Sequence, residues 1–223
     1  MTDTADRHIR TFHPRRGRLG PRLADAHAEL WPLFGFAVED GDGTPLDLAA
    51  LFGRSAPVVL EIGFGMGDTL AAMAAADPGR DYLGVEVHTP GIANLLAKIK
   101  DQDLHNVRVA RGDAIDLLHK VAPASLDGIN VFFPDPWPKA RHHKRRLIRP
   151  GNVALLGERL RPGGILHCAT DWPHYASAMA ETLDAAPTLH RVDADRAGRP
   201  ETKFERRGTA AGRPIADLRY ARS

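Results

Sequence analysis

Two short segments carry the residues best placed to do chemistry. The first is Gly63-Phe64-Gly65-Met66-Gly67, which follows the apolar run Val58-Val59-Leu60-Glu61-Ile62 and opens an Ala-rich stretch. Glycines between a strand and a helix let the backbone turn sharply and come close to a ligand. Nineteen residues after Gly67, Glu86 ends a second apolar run, where a carboxylate can accept hydrogen bonds from both hydroxyls of a ribose. Gly63, Gly65 and Glu86 thus suit either a dinucleotide or S-adenosylmethionine, and the spacing separates the two. The dinucleotide fingerprint is G-x-G-x-x-G; here the third glycine comes one residue early and Asp68 takes its place. An acid beside the loop repels a pyrophosphate, whereas the sulfonium and ammonium groups of S-adenosylmethionine tolerate carboxylates. Glu61, inside the run before the loop, and Asp113, in Gly112-Asp113-Ala114 after a third apolar run, point the same way.

The second segment is Phe133-Pro134-Asp135-Pro136-Trp137-Pro138-Lys139, directly after an apolar strand. In open α/β sheets the ligand lies beyond the carboxyl ends of the strands. Prolines restrict their own φ and bias the preceding residue, so Asp135 and Trp137 stand on a stiff loop. A basic run begins at once: Lys139-Ala140-Arg141-His142-His143-Lys144-Arg145-Arg146. A cofactor pocket on one side of a carboxylate and phosphate-binding cations on the other describe an enzyme acting on nucleic acid. Trp137 and Phe204 can each stack on an unstacked base, and packing in the core is an equal use for either ring.

The elements needed to hold these groups are legible from the pattern. Val58–Ile62, Tyr82–Val87, Val107–Ala110, Ile129–Phe133 and Ile165–Ala169 read as strands. Thr69–Ala76, Ile92–Lys100, Ile115–His119, Asn152–Leu160 and Tyr175–Leu183 read as the helices between them. Ile92, Leu95, Leu96 and Ile99 repeat at the 3–4 spacing of one helix face. Leu46–Phe52 reads as a short helix, and Trp31-Pro32 with 39–43 as a connection. Arg161-Pro162-Gly163-Gly164 is expected to stop a helix, and a strand-like segment from about Leu189 leads to Tyr220. Alternation of this kind predicts an α/β, doubly wound, mostly parallel sheet with right-handed crossovers.

The chain has 223 residues, 43% hydrophobic and 26% charged, which fits a globular protein with a real core. Its net charge of +2 is a cancellation. Arg7–Arg22 and Lys139–Arg149 each carry six cations and no acid, Arg196–Arg222 carries a net +5, and the rest carries −15. Three basic segments on an acidic body predict a polyanion-binding face where the fold brings them together. No apolar stretch reaches the roughly 18–20 residues that span a bilayer, and Met1–Arg10 lacks the apolar centre of a secretory signal, so a cytoplasmic location is expected. The one cysteine, Cys168, is expected in the core. No Cys or His spacing reads as a metal site, and His142 and His143 are assigned to the basic surface.

Taken in order along the chain, Leu60-Glu61-Ile62-Gly63-Phe64-Gly65-Met66-Gly67, Gly84-Val85-Glu86-Val87-His88, Phe133 to Lys139, Ala169-Thr170-Asp171-Trp172 and Thr202-Lys203-Phe204-Glu205-Arg206-Arg207-Gly208 closely resemble the bacterial TrmB family of tRNA (guanine-N7)-methyltransferases. The resemblance implies a seven-stranded Rossmann-like fold dependent on S-adenosyl-L-methionine, in residues 51–223, with 1–50 as a basic N-terminal arm and connection. It implies methylation of guanine N7 at position 46 of the tRNA variable loop. Glu61, Gly63, Gly65, Glu86, Asp113 and Asp135 would hold the methyl donor, with Asp135 as the catalytic residue. Lys139, Asp171, Thr202, Lys203, Phe204 and Glu205 would contact the substrate, and Arg141, His142, His143, Lys144, Arg145 and Arg146 the RNA. The partner implied is tRNA, with no membrane and no obligate protein partner, a reading compatible with a monomer. Guanine N7 has a free lone pair, so its methylation needs no general base. A carboxylate nearby stabilises the charge that develops on the imidazole ring, or accepts from guanine N1–H and N2–H; either role fits Asp135 or Asp171. Two other readings stay open: another nucleic-acid N-methyltransferase, and an RNA-binding protein that keeps the fold without the activity.

Overall fold

A computed structural model of the chain describes residues 11–12, 17–40, 44–193 and 196–223. Arg7, Arg10, Arg15 and Arg16 of the first basic run lie outside the described residues.

Among the described residues the strands are β1 (Gly35–Ala37), β2 (Val58–Ile62), β3 (Asp81–Glu86), β4 (Val107–Arg111), β5 (Leu126–Phe132), β6 (Leu160–Thr170), β7 (Leu189–Arg191) and β8 (Ala216–Arg222). They form one sheet in the order β1-β4-β3-β2-β5-β6-β8-β7. All neighbours are parallel except β8, which runs antiparallel to both β6 and β7. The helices are α1 (Pro21–Phe34), α2 (Leu48–Phe52), α3 (Asp68–Ala76), α4 (Thr89–Asp101), α5 (Ala114–Lys120), α6 (Pro150–Arg159), α7 (Pro173–Asp184) and α8 (Lys203–Ala210). A six-residue 3-10 segment, Ala140–Arg145, carries the basic run.

The central strand β2 is buried at all five positions, as a parallel strand covered on both faces must be. Its residues divide between two apolar clusters. Val59 joins Leu30 of α1, Leu70 of α3 and Ile92, Leu95, Leu96 and Ile99 of α4. Val58, Leu60 and Ile62 join Phe52 of α2, Leu117 and Leu118 of α5, Val153 and Leu156 of α6, and Tyr175 and Met179 of α7. The period-2 alternation of a strand therefore builds both halves of the core, and the expected doubly wound α/β arrangement holds.

Three expectations change. The sheet has eight strands where seven were expected, because Gly35-Phe36-Ala37 pairs with Val109-Ala110-Arg111 at the edge; three residues are too few to show a period. Trp31-Pro32 is the last turn of α1 and not a connection. Arg161-Pro162-Gly163-Gly164 does not separate helix from strand: β6 begins at Leu160, pairs there with Leu126, and resumes register at Ile165 opposite Gly128 through an irregularity. No helix among the described residues is long and apolar enough to cross a membrane.

Candidate active site

The loop after β2 adopts left-handed backbone at Gly63 (φ 72°) and Gly65 (φ 59°). A Cβ on either would meet nothing within 4 Å, so each also leaves open space where a side chain would stand. Gly91, in the first turn of α4, sits so close that a Cβ there would lie 2.0 Å from the Gly65 carbonyl oxygen. Glu86, at the end of β3, ties the arrangement together. Its Oε2 accepts from Gly65 N (3.0 Å), and its Oε1 from Val87 N (2.7 Å) and His88 N (3.0 Å). The glycine loop and the entry to α4 are thus fixed by one carboxylate. Asp68 forms an ion pair with Lys98 of α4 at 2.8 Å and does not line the cleft. Glu86 and Asp135, and not Asp68, are the acids on the cleft that would repel a pyrophosphate.

A cleft of ≈ 160 Å³ opens beyond the ends of β2, β3 and β5. Gly63, Gly65, Glu86, Phe133, Asp135 and Phe204 line it, and so do Thr11 and Phe12 from the N-terminal segment. Beside it Glu61, 3% exposed, leaves its Oε2 buried without a hydrogen-bond partner. Burial pushes the Glu61 carboxyl up to about 8; Arg199 opposes that shift and Glu86 adds to it. Glu86 and Asp135 set two carboxylates on the cleft, and Glu61, a buried acid with an unanswered oxygen, lies close enough to Glu86 to feel its charge, a set that matches a cation. Together with the space left by the glycines, it fits the sulfonium and ammonium of S-adenosylmethionine.

Asp113 has a local use beside the cleft. Its side chain accepts from Ile115 N at 2.8 Å and caps α5, while its neighbours Gly112 and Ala114 line the cleft.

Asp135 stands on a constrained turn. Phe133 (φ 52°) and Trp137 (φ 45°) both take left-handed backbone without being glycine. Such conformations cost about 1–3 kcal/mol each and persist only where the surroundings hold them. Phe133 N donates to Ala169 O at 2.7 Å. Trp137 is 2% exposed, its indole Nε1 donates to Thr11 O at 3.2 Å, and Arg145 lies over its ring. Trp137 is therefore a packed anchor, and core packing is the use that applies to it. Phe204 is the aromatic left open, 47% exposed and stacked on Phe133 with centroids 6.3 Å apart.

The basic segments separate into two kinds. Lys139, Arg141, Lys144 and Arg145 are exposed. Arg146 corrects the expectation of an RNA contact: it is 4% exposed, its Nε donates to Pro136 O at 3.0 Å, and its guanidinium lies over Tyr175. It clamps the Asp135 loop from behind. His142 packs edge-on against Trp137, and His143 lies against His174, so both are half-buried.

Thr202 and Glu205 have a structural use. Both are buried, and they form a capping box: Glu205 N donates to Thr202 Oγ1 at 3.0 Å, and Thr202 N to Glu205 Oε2 at 3.4 Å. Their place is the start of α8, which turns Lys203 and Phe204 outward. Asp171 is held by Arg213, whose Nη2 lies 2.7 Å from its Oδ2.

One cation of the third basic run proves internal. Arg199 is 2% exposed and bonds Asp217 through Nε (3.0 Å) and Nη2 (2.9 Å) and Glu205 through Nη1 (2.7 Å). Arg196 also pairs with Glu205, and His167 lies 2.8 Å from Asp217. Burial works against the Asp217 charge, but hydrogen bonds from His167 and Arg199 hold its carboxyl down to about 2. Arg199 and Gly91 are the residues that sequence reasoning missed, and Arg146 is the one it read for another use. Gly91 alone left a signal, a glycine in the first turn of a strongly periodic helix, where its low propensity needs a reason.

Sheet order, glycine loop and acidic cleft together define a Rossmann-like methyltransferase that depends on S-adenosylmethionine. Solved structures carry the same fold at low identity. The aminoglycoside resistance methyltransferase NpmB1 is similar with a TM-score of 0.54 and 16% identity over 77% of this chain and 90% of that one. The 16S rRNA methyltransferase KamB has a TM-score of 0.54 and 17% identity over 78% and 91%. A family described as "Putative methyltransferase" matches residues 55–218. A tRNA (guanine-N(7)-)-methyltransferase of Burkholderia lata is 54% identical over 217 residues, 95% of this chain and 84% of that protein. Proteins of the same name are 51% identical in Streptomyces avermitilis, over 97% of this chain and 76% of that protein, and 50% identical in Alkalilimnicola ehrlichii, over 97% and 94%. The chain belongs to the tRNA (guanine-N7)-methyltransferase family.

Proposed function

We propose that the protein methylates N7 of guanine at position 46 in the variable loop of tRNA, with S-adenosyl-L-methionine as donor. The observation that carries this reading is the cleft in which Glu86, the glycine loop and Asp135 face one another, with Phe204 and exposed cations at its rim. The relatives' shared name supports it. When bound, the donor supplies an electrophilic methyl on a sulfonium. Glu86 keeps one lone pair, on Oε2, for a ribose hydroxyl after its Oε1 takes two backbone N–H groups and its Oε2 one. Gly63 and Gly65 admit the donor, Glu61 answers its ammonium, and Asp113 flanks its adenine from the α5 cap.

Guanine N7 attacks through a lone pair already free, so Asp135 acts by charge and position. It stabilises the positive charge that grows on the imidazole ring, in a site partly closed to water. Orientation of N7 along the methyl–sulfur axis is the larger contribution, and Phe204 supplies a stacking surface for the base. Asp171, steadied by Arg213, is the second acceptor for the guanine edge. Lys139, Lys203, Arg141, Lys144 and Arg145 meet tRNA phosphates. Residues 51–223 hold the groups assigned to chemistry in this reading, and the arm within 1–50 closes over the cleft through Thr11 and Phe12.

The test is methylation of total tRNA with labelled donor, followed by nucleoside analysis and site mapping. N7-methylguanosine at position 46 is expected, and Asp135→Ala is expected to reduce it by about 10²-fold or more with its melting curve intact. Methyl on another atom in the wild-type reaction, or full activity of folded Asp135→Ala, overturns the reading.

A further inference from the structure

We propose that Arg199 is a positioning residue for the reacting base: it holds the Phe133 turn and the start of α8 in fixed relation, and so sets Phe133, Phe204 and Asp135 around the guanine. The inference rests on the proposed function for the identity of that base.

Arg199 uses every nitrogen of its guanidinium. Nε and Nη2 grip Asp217 of β8 as a fork, and Nη1 reaches Glu205 of the α8 capping box at 2.7 Å. Three bonds to two carboxylates fix the plane of the group as well as its place. The flat side is then presented to two rings of the β5 end, with the guanidinium carbon 5.3 Å from the Phe132 centroid and 5.5 Å from that of Phe133. Phe133 needs such support, since it is held at φ 52°. Its ring stacks on Phe204 at an interplanar angle of 21°. Asp135 follows two residues later on the same turn. One buried cation therefore touches the end of β5 that leads to Asp135, the helix that carries Phe204, and strand β8. Lysine would keep the charge and lose the fork and the flat face.

A purely structural ion pair would stabilise the C-terminal segments without governing turnover, and coupling separates the two roles. The variants are Arg199→Lys, Phe133→Leu and the double variant. Each is assayed as folded protein for kcat and KM with tRNA, and by calorimetry for S-adenosylmethionine. Each single variant is expected to lower kcat about 10-fold with donor affinity within about threefold. The double variant is expected to fall no further than the worse single, a non-additivity reserved for residues acting as one unit. Wild-type kcat in folded Arg199→Lys, or losses that multiply in the double variant, overturns the proposal. Should Arg199→Lys not fold, the cycle is run with Glu205→Gln against Phe133→Leu, and the same two outcomes decide. The wild-type reaction in the same assay tests the proposed function by itself: if it yields a different methylated nucleoside, that reading fails, while the cycle still measures whether Arg199 and Phe133 act together.

Discussion

Replacing Glu61 with glutamine isolates the free energy stored in one buried acid. Glu61 is 3% exposed, one of its oxygens has no partner, and burial lifts its carboxyl from the ordinary 4.5 to about 8. Between those values the folded chain holds a proton that the unfolded chain has released, so wild-type stability falls as pH rises from 4.5 to 8. At roughly 1.4 kcal/mol per pH unit the cost is about 2 kcal/mol at pH 6 and reaches about 4–5 kcal/mol at pH 8 and above. Glutamine has the shape of the protonated acid and does not titrate. Glu61→Gln should therefore melt close to wild type near pH 5 and above it at pH 8.5. The gap should widen by about 2–3 kcal/mol between pH 6 and pH 8, or about 5–10 °C for a chain of this size. The assay is a series of thermal melts of both proteins, without donor, from pH 5 to 8.5. A gap that stays constant over that range, or one that closes as pH rises, refutes the reasoning.

Other consequences are as direct. If the donor's ammonium meets Glu61, binding should expel up to one proton at pH 7, seen by calorimetry as a heat that depends on the buffer's ionisation enthalpy; equal heats in all buffers count against that contact. Gly91→Ala should push the Gly65 carbonyl aside and weaken S-adenosylmethionine binding about 10-fold or more, whereas unchanged affinity would show that the loop can move without loss. Lys144→Ala should lower tRNA affinity and reduce the salt slope by about one, while Arg146→Ala should lower the melting temperature and leave that slope alone. Cys168, fully buried and with its thiol pushed up to about 12, should resist alkylation in the native protein; rapid labelling there would show that β6 opens.

The parallel core was legible because its strands are continuous apolar runs ended by glycines or charges, and because Ile92 to Ile99 announce a helix face. Glu86 and Asp135 were legible because strand ends place a side chain at a cleft. What stayed hidden depended on partners remote in sequence. An arginine reads as surface by type, yet Arg199 and Arg146 are buried by acceptors that lie 18 and 10 residues away, Asp217 and the Pro136 carbonyl. Thr202 and Glu205 had a local signature, since Thr-x-x-Glu before a helix is a capping box, but they also sat inside a motif read for substrate contact. Asp113 likewise stands where an N-cap is expected. A three-residue strand such as β1 offers no period to detect.

The antiparallel strand β8 lies between β6 and β7, although it follows both in sequence. Edge strand β7 therefore has its hydrogen-bonding partner only once β8 has been made, and Arg199 has Asp217 only then. During synthesis the donor half of the cleft, built from β2 to β5, can form early on the ribosome, while α8 and the Phe133 turn wait for the last strand to slot into place. The ability to take up the methyl donor should therefore mature before the ability to use it, so that a nascent chain stalled ahead of Ala216 is a donor-binding intermediate without a finished place for the base.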